Sequence, residues 1–296
     1  MRKVLKWIGI ILGVFLGLIL IAVAAAFLIA EEKLNRIYEV DPVAMEIPAQ
    51  ANPDRRDWPL MVVDFCADCH GGFFLSGDLI NDDPLFGTLA APNLTSGKGG
   101  IGGDYTDEDW IRALRHGIGQ EGKPLVAMPS QATNKINDRD LAELIVYMKN
   151  LDPINNELPT MQIGPLLRLF IVAGLIPDLL PAESIDHEAV RPPDLVPAET
   201  AEYGEYLTFV CEVCHTEDLS GGSGAGEGMN LTPGGQLANW TEDDFIQTLR
   251  TGIAPDGKRL NGEEMPWLTF SRFSDQEMKA IWLYLSSIPA VETEHR

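Results

Sequence analysis

The feature that most constrains this chain is a five-residue motif that occurs twice, Cys66-Ala67-Asp68-Cys69-His70 and Cys211-Glu212-Val213-Cys214-His215. Both read Cys-x-x-Cys-His, the pattern of covalent c-type haem attachment. Two cysteines one helical turn apart can reach the vinyl groups on one edge of a haem. The adjacent histidine then brings its imidazole under the iron as the proximal ligand. The chain has four cysteines and the two motifs use all of them, so none remains for a disulfide or a separate thiol site. A split zinc site is one alternative. Against it, the pairs lie 145 residues apart and each is followed at once by a histidine that a four-cysteine site does not require. A thioredoxin-like redox motif is the other, but it needs a βαβ pattern around it, and neither pair has one. Two covalently bound haem c groups are expected.

Beyond the motifs the chain repeats itself. Asn93-Leu94-Thr95 recurs as Asn230-Leu231-Thr232 and Met128-Pro129 as Met265-Pro266, each at an offset of 137. The stretch from Thr106 to Arg115 recurs from Thr241 to Arg250 at an offset of 135, and residues 137–151 align with 274–288. The copies differ by short insertions and deletions, the largest near Asn81 to Pro84. Thr106 with Asp109, and Thr241 with Asp244, have the spacing of capping boxes, starting helices that stop at Gly117 and Gly252. The last helix of each copy starts at Asn137 or Ser274. It carries an apolar stripe of Leu141, Leu144, Ile145 and Met148, or of Met278, Ile281, Trp282 and Leu285. That stripe is core, expected to pack against the helix bearing Cys-x-x-Cys-His.

A haem iron held by one histidine needs a distal ligand. Met128 and Met265 lie 58 and 50 residues after their histidines, in matching Met-Pro contexts just before the C-terminal helix of each copy. A thioether is a soft ligand that raises the reduction potential relative to a second histidine. His116 is the rival in the first copy, but its counterpart is Thr251. His187 and His295 have no motif around them. The metal ligands expected are therefore His70 with Met128 and His215 with Met265, while Cys66, Cys69, Cys211 and Cys214 form the thioethers.

Residues 7–30 contain no charged side chain. Twenty-four helical residues span roughly 36 Å, enough to cross a hydrocarbon core of about 30 Å. Arg2, Lys3 and Lys6 precede the run, and Glu31 and Glu32 follow it. The positive-inside rule thus puts the N-terminus in the cytoplasm and the haem domains on the periplasmic side of the cytoplasmic membrane. A cleaved signal peptide is the alternative, though the apolar run exceeds a typical one and Phe27-Leu28-Ile29 follow the only cut site. Net charge is -22, which argues against a nucleic-acid partner. So much acid serves solubility, or an acidic face that steers a basic redox partner. Between the copies, residues 164–181 are strongly apolar yet interrupted by Arg168 and Asp178 and bracketed by prolines. They are too short to span a bilayer. They read as a linker packing between domains, or as a contact with the membrane surface or a partner subunit.

From these residues the chain resembles bacterial class I cytochromes c, specifically membrane-anchored dihaem forms similar to the cytochrome subunits of periplasmic dehydrogenases. Those subunits usually carry three haem motifs, where this chain has two. The resemblance implies an all-α fold with two tandem class I cytochrome c-like domains after one N-terminal transmembrane helix. The organisation expected is an anchor at 1–30, a polar tether at 31–57, a first haem domain at 58–155, a linker at 156–200 and a second haem domain at 201–296. It further implies that polar residues of the middle stretches lie near the haem propionates, with Asn93, Asn230, Arg115 and Arg250 at the matching positions. The function implied is electron transfer between an extracytoplasmic donor and acceptor, alone or as a subunit of a respiratory or dehydrogenase complex, with no catalytic residue of its own. The competing class is a dihaem redox enzyme, peroxidase-like or thiosulfate-oxidising, with one openable iron; a redox or gas sensor would need an output domain.

Overall fold

The structure is a computed structural model that describes residues 2–42, 45–50, 52, 57–176, 179–222 and 228–292, the side chains of 57–61 excepted. Asp178 and His295 of the sequence reading lie outside the described residues. The chain divides into two compact units. One comprises Met1–Ala44, Cys69–Asn134 and Met148–Glu188, and the other Met45–Asp68, Lys135–Tyr147 and Ala189–Arg296. The fold is helix-rich.

In the first unit, α1 (Arg2–Leu34) is long and apolar enough to cross a membrane, with an 18-residue stretch of mean hydropathy 3.0 that is nowhere buried. It continues through Glu31–Leu34, past the uncharged run. Residues just beyond are held to the unit rather than loose. Lys33 Nζ meets Glu183 Oε2 at 2.6 Å, the Tyr38 amide donates to Gly122 O at 2.9 Å, and Arg112 Nε donates to Val40 O at 3.5 Å.

Helix α2 (Asp57–His70) ends on the first haem motif. After it the expectation of an all-α chain needs an addition, because a small antiparallel sheet forms from β1 (Asp78–Asp83), β2 (Gly87–Ala91) and β3 (Gln162–Ile163). The hairpin falls where the first copy has its insertion. Asp83 Oδ1 accepts from the amides of Leu85 and Phe86 at 2.7 and 3.1 Å and closes the turn, and Gly87 takes the left-handed φ of 99° that starts the return strand.

Helix α3 (Asp107–His116) begins with the expected capping box, in which Thr106 and Asp109 exchange side-chain-to-amide bonds, and ends on Gly117 at φ 65°. Its apolar face, with Trp110, Ile111 and Leu114, is buried. Helix α4 (Ser130–Asn134) is fastened to it by Ser130 Oγ donating to Ala113 O at 2.9 Å and Thr133 Oγ1 to Leu114 O at 2.5 Å. Helix α6 (Pro165–Ala173) is preceded by Gly164 and ends at Gly174, and it packs against α1.

In the second unit the helical stretch that ends on the second haem motif is broken into α7 (Ala201–Leu207) and α8 (Phe209–His215). Helices α9 (Glu242–Thr251) and α11 (Asp275–Ser287) both start with full capping boxes, at Thr241/Asp244 and Ser274/Glu277, and α10 (Trp267–Phe270) lies between them. Helix α7 packs closely on α11, where a Cβ on Gly204 would collide with the carbonyl of Ala280. Of the expected stripes, Leu141, Leu144, Ile145 and Met148 on α5 (Asp138–Lys149) are buried, as are Met278, Ile281 and Leu285 on α11, while Trp282 is half-buried.

The same unit holds three contacts between residues of the two sequence copies. Tyr206 Oη donates to the buried Asp140 at 2.7 Å, and burial beside that carboxylate pushes the phenol strongly up. Lys135 pairs with Glu212, and Arg272 Nε with Asp64 at 3.0 Å. Lys135 and Arg272 occupy equivalent repeat positions, each seven residues after its Met-Pro methionine.

Candidate haem-binding sites

Each Cys-x-x-Cys-His motif closes a helix, with His70 the last residue of α2 and His215 the last of α8. Helical spacing places the two cysteines one turn apart on a common side. None of Cys66, Cys69, Cys211 and Cys214 is in a disulfide. Burial pushes the Cys211 thiol up to about 12, with the charges of Glu212 and Cys214 adding to it, and burial also raises Cys214.

Directly after each histidine the chain doubles back. The amides of Gly77 and Gly221 donate to the carbonyls of His70 and His215 at 2.7 and 2.9 Å. Both glycines are left-handed, at φ 83° and 68°, and a Cβ on either would lie 2.6 or 2.7 Å from the amide of Asn93 or Asn230. The leucines two residues earlier, Leu75 and Leu219, are left-handed as well, and their carbonyls accept from Leu94 and Leu231 at 2.8 Å.

The return brings a backbone carbonyl to each imidazole. His70 Nδ1 lies 2.8 Å from Pro92 O, and His215 Nδ1 lies 2.6 Å from Met229 O. A carbonyl can only accept, so Nδ1 carries the hydrogen and Nε2 keeps its lone pair, the arrangement of an oriented metal-ligating histidine. Both rings are buried, and burial lowers their pKa against the opposing pull of the carbonyl, which favours the neutral, ligating form. On the second ring the approach is close enough that a Cβ on Gly228 would sit 2.5 Å from His215 Nδ1.

Met128 and Met265 are half-buried in the turns that lead into α4 and α10. The Met128 carbonyl accepts from Ser130 and the Met265 carbonyl from Trp267, both at 2.7 Å, so the two turns have the same local form. His116 is engaged elsewhere. Its Nδ1 faces His187 Nδ1 at 3.1 Å, and His187 Nε2 donates to Ala182 O at 3.2 Å.

The polar residues expected near propionates hold backbone. Asn93 Nδ2 donates to Ile154 O at 2.7 Å while its Oδ1 accepts from the Thr95 amide and hydroxyl at 2.9 and 2.8 Å. Asn230 does the same, with Nδ2 to Val291 O at 2.7 Å and the Thr232 amide to its Oδ1 at 2.8 Å. Each Asn-Leu-Thr stretch thus fastens the segment that follows its copy's last helix. Arg115 Nη1 donates to Asn134 O at 2.8 Å, and Arg250 reaches Ser271 O and, at 2.7 Å, Asp275. Both arginines tie the end of α3 or α9 to the chain just beyond the methionine.

Several of these features escaped the sequence. Pro92 and Met229 act through their carbonyls, so their side chains carry no common signal; the offset of 137 shared with Asn-Leu-Thr does mark them as a pair. Trp110 lies within the repeated stretch from Thr106 to Arg115 and carries no motif of its own. Its indole is 2% exposed and stacks edge-on with Tyr105 at 5.1 Å, yet its N–H finds no acceptor among the described residues.

The residues fit a covalently held haem. Thiols at vinyl spacing, an adjacent neutral imidazole with Nε2 available and a buried donor without a protein acceptor are what such a group requires. They do not fit a zinc centre: among the described residues no three His, Cys, Asp or Glu side chains group to hold a metal ion.

Comparison with known proteins agrees. Residues 61–148 match the family described as cytochrome C oxidase, cbb3-type, subunit III. The chain is 28% identical to the fructose dehydrogenase cytochrome subunit of Gluconobacter japonicus over 76% of its own length and 50% of the relative's. It is 28% identical to a diheme cytochrome c-type protein of Cereibacter sphaeroides, over 77% of this chain and 83% of that one. With the alcohol dehydrogenase (quinone) cytochrome c subunit of Gluconacetobacter polyoxogenes it shares 26% identity over 76% of this chain and 54% of that one. Against the dehydrogenase subunits, then, the chain spans about half the relative's length. These relatives are named as cytochrome subunits of dehydrogenases or as a dihaem cytochrome. A cytochrome c family domain therefore lies over the first motif, it implies covalent haem c, and the chain is similar over three quarters of its length to electron-transfer cytochromes.

Proposed function

We propose that the chain is a membrane-tethered dihaem cytochrome c that passes electrons between an extracytoplasmic donor and acceptor, as the electron-transfer subunit of a dehydrogenase or respiratory complex. The observation that carries this reading is the repeated histidine latch, in which Pro92 O and Met229 O orient His70 and His215 in the same way at equivalent positions. Such a haem, when bound, supplies a one-electron ferric/ferrous couple.

The protein's own part is to hold and tune. Cys66, Cys69, Cys211 and Cys214 would anchor two haems, one in each of two tandem domains, 58–155 and 201–296. His70 and His215, with Nε2 left available, would hold the irons, and Met128 and Met265 would supply a soft sulfur as the second protein ligand of each. Asn93 and Asn230 brace the walls, Arg115 and Arg250 place positive charge next to the axial turns, and the Trp110 N–H is the donor available to a propionate. Helix α1 holds the assembly on the periplasmic side of the cytoplasmic membrane, and the acidic surface suits a basic redox partner.

The test is the absorbance spectrum of the dithionite-reduced holoprotein before and after carbon monoxide, with the haem-to-protein ratio measured on the same sample. Two haems and an unchanged spectrum are expected. If one haem binds carbon monoxide, its methionine is not a firm ligand and a dihaem redox enzyme becomes the better reading.

A further inference from the structure

We propose that α6, with Leu175 and Ile176 behind it, seats in the outer boundary of the lipid bilayer beside α1, so that the chain meets the membrane at two places. This rests on the reading of α1 as a membrane span.

Helix α6 is Pro-Leu-Leu-Arg-Leu-Phe-Ile-Val-Ala, with one charged residue in nine. Leu167 and Ile171 are buried with Leu179 and Leu180, against Leu34, Phe86, Leu89 and neighbouring apolar side chains of the first unit. A surface helix that buries one side in this way normally turns polar residues outward. Here the remaining sides are apolar too: Leu166, Leu169 and Val172 stay half-buried, while Leu175 is 64% and Ile176 39% exposed.

Its position supplies the occupant. Helix α6 packs on α1, and Arg168 shares a groove with Ala24, Phe27, Leu28 and Glu31 of that helix. From Glu31 back to Ala24 is seven residues, roughly 10 Å along a helix axis. That matches the roughly 5–10 Å to which an interfacial helix sinks its apolar face below the headgroups. The single charge behaves accordingly, since Arg168 extends its guanidinium to Glu31, at the outer end of the apolar run. Just beyond, Lys33, Arg36, Glu32 and Glu183 form an ion-pair belt at headgroup level. An apolar surface continuous with a membrane helix and rimmed by that belt fits lipid.

The test uses full-length holoprotein in phospholipid nanodiscs. Its own cysteines are held as thioethers, so a Cys introduced by Leu175→Cys takes a single spin label, with Ile176→Cys as a second variant and haem absorbance as the check on folding. Collisional accessibility is measured to oxygen, which concentrates in lipid, and to a water-soluble nickel chelate. Leu18→Cys in α1 gives the lipid reference, and Val190→Cys, at a site 97% exposed, the aqueous one. The expected result is that both linker labels follow Leu18→Cys, with nickel accessibility several-fold below that of Val190→Cys. If they follow Val190→Cys while Leu18→Cys stays in lipid, the proposal is overturned and the anchor stands. If Leu18→Cys is itself in water, the anchor reading fails and takes the proposal with it. Labels shielded from both reagents would mean that protein covers this face, which also overturns it.

Discussion

Replacing Asn93 by alanine separates two roles that the sequence alone could not tell apart. As a propionate ligand, the residue would act on the haem potential. As placed in the structure, it acts on the fold. Its Oδ1 is the acceptor for the buried Thr95 amide, and its Nδ2 supplies a hydrogen bond to Ile154 O. Truncation leaves the Thr95 amide without an acceptor in a site closed to water. The Thr95 hydroxyl, which already lies 3.2 Å from Ile154 O, can turn to cover that carbonyl. One buried orphaned amide costs about 1–3 kcal/mol, and the lost packing of the side chain adds about 1 kcal/mol. The expected loss is about 2–4 kcal/mol, against the ~5–15 kcal/mol typical of a whole domain.

Asn230→Ala is the internal control, because Asn230 bonds Thr232 and Val291 in the same geometry and should show a loss of the same size. The assay is guanidinium unfolding of the holoprotein followed by far-ultraviolet circular dichroism, with potentials taken by spectroelectrochemistry on the same samples. Unchanged potentials with clear destabilisation are expected. A loss below about 0.5 kcal/mol in both variants, or a shifted potential at unchanged stability, would refute the reasoning and return these residues to the propionates.

Three further outcomes follow from the same geometry. Thr106→Ala removes the acceptor for the Asp109 amide and should cost about 1 kcal/mol in thermal or chemical unfolding, as should Thr241→Ala in the second copy. Stability should also fall in acid through Asp109: burial pushes its carboxyl up, but bonds from the Thr106 amide and hydroxyl, Gln120 and Arg112 outweigh this and hold it below the ordinary range. A carboxylate lowered by folding stabilises above its unfolded value near 4 and loses that contribution as pH drops through the lowered one, so Asp109→Asn should flatten unfolding curves below about pH 4. Gly204→Ala, finally, drives a methyl into the Ala280 carbonyl between α7 and α11 and should lower stability by at least about 1–3 kcal/mol; a neutral result in calorimetry would mean that the two helices are not in close contact.

What was legible in the sequence had local chemistry behind it. Thr106, Thr241 and Ser274 announce helix starts because a short hydroxyl three residues before an acid has little else to bond in an emerging helix. The haem motifs are legible because attachment needs those side chains at that spacing. The hairpin of β1 and β2 was not legible. Asp78–Asp83 is polar and largely exposed, so no apolar alternation marks it, and its pairing depends on the Asp83 turn and on a distant partner at Gln162–Ile163. The histidine latches were hidden because every residue has a carbonyl, and Pro92 and Met229 share only their repeat offset. The engagement of His116 by His187 joins residues 71 apart, beyond any local pattern.

The two basic residues that follow Met128 and Met265 bear on why the copies share one chain. Were each copy an independent bead, Lys135 and Arg272 would be ordinary solvated cations. Instead Lys135 reaches Glu212, between Cys211 and Cys214, and Arg272 reaches Asp64, two residues before Cys66. Within the second unit, then, the helix that bears the first motif meets the stretch after Met265, and the helix that bears the second motif meets the stretch after Met128. The cations are 40% and 36% exposed but their acids only 19% and 8%, so each pair stands at or above the upper end of the about 0–1 kcal/mol of a surface ion pair. Apolar contact between Phe65 and Phe270, at 5.7 Å, and the buried Tyr206–Asp140 bond supply the rest. Lys135→Glu places a carboxylate against Glu212 and should lower stability by about 1 kcal/mol, more at low salt than at high. Adding Glu212→Lys should recover most of that loss, while Glu212→Lys alone should cost about as much as Lys135→Glu. A double-mutant cycle with no coupling would show that the charges are solvated and that this part of the second unit is held by the aromatic and tyrosine contacts alone.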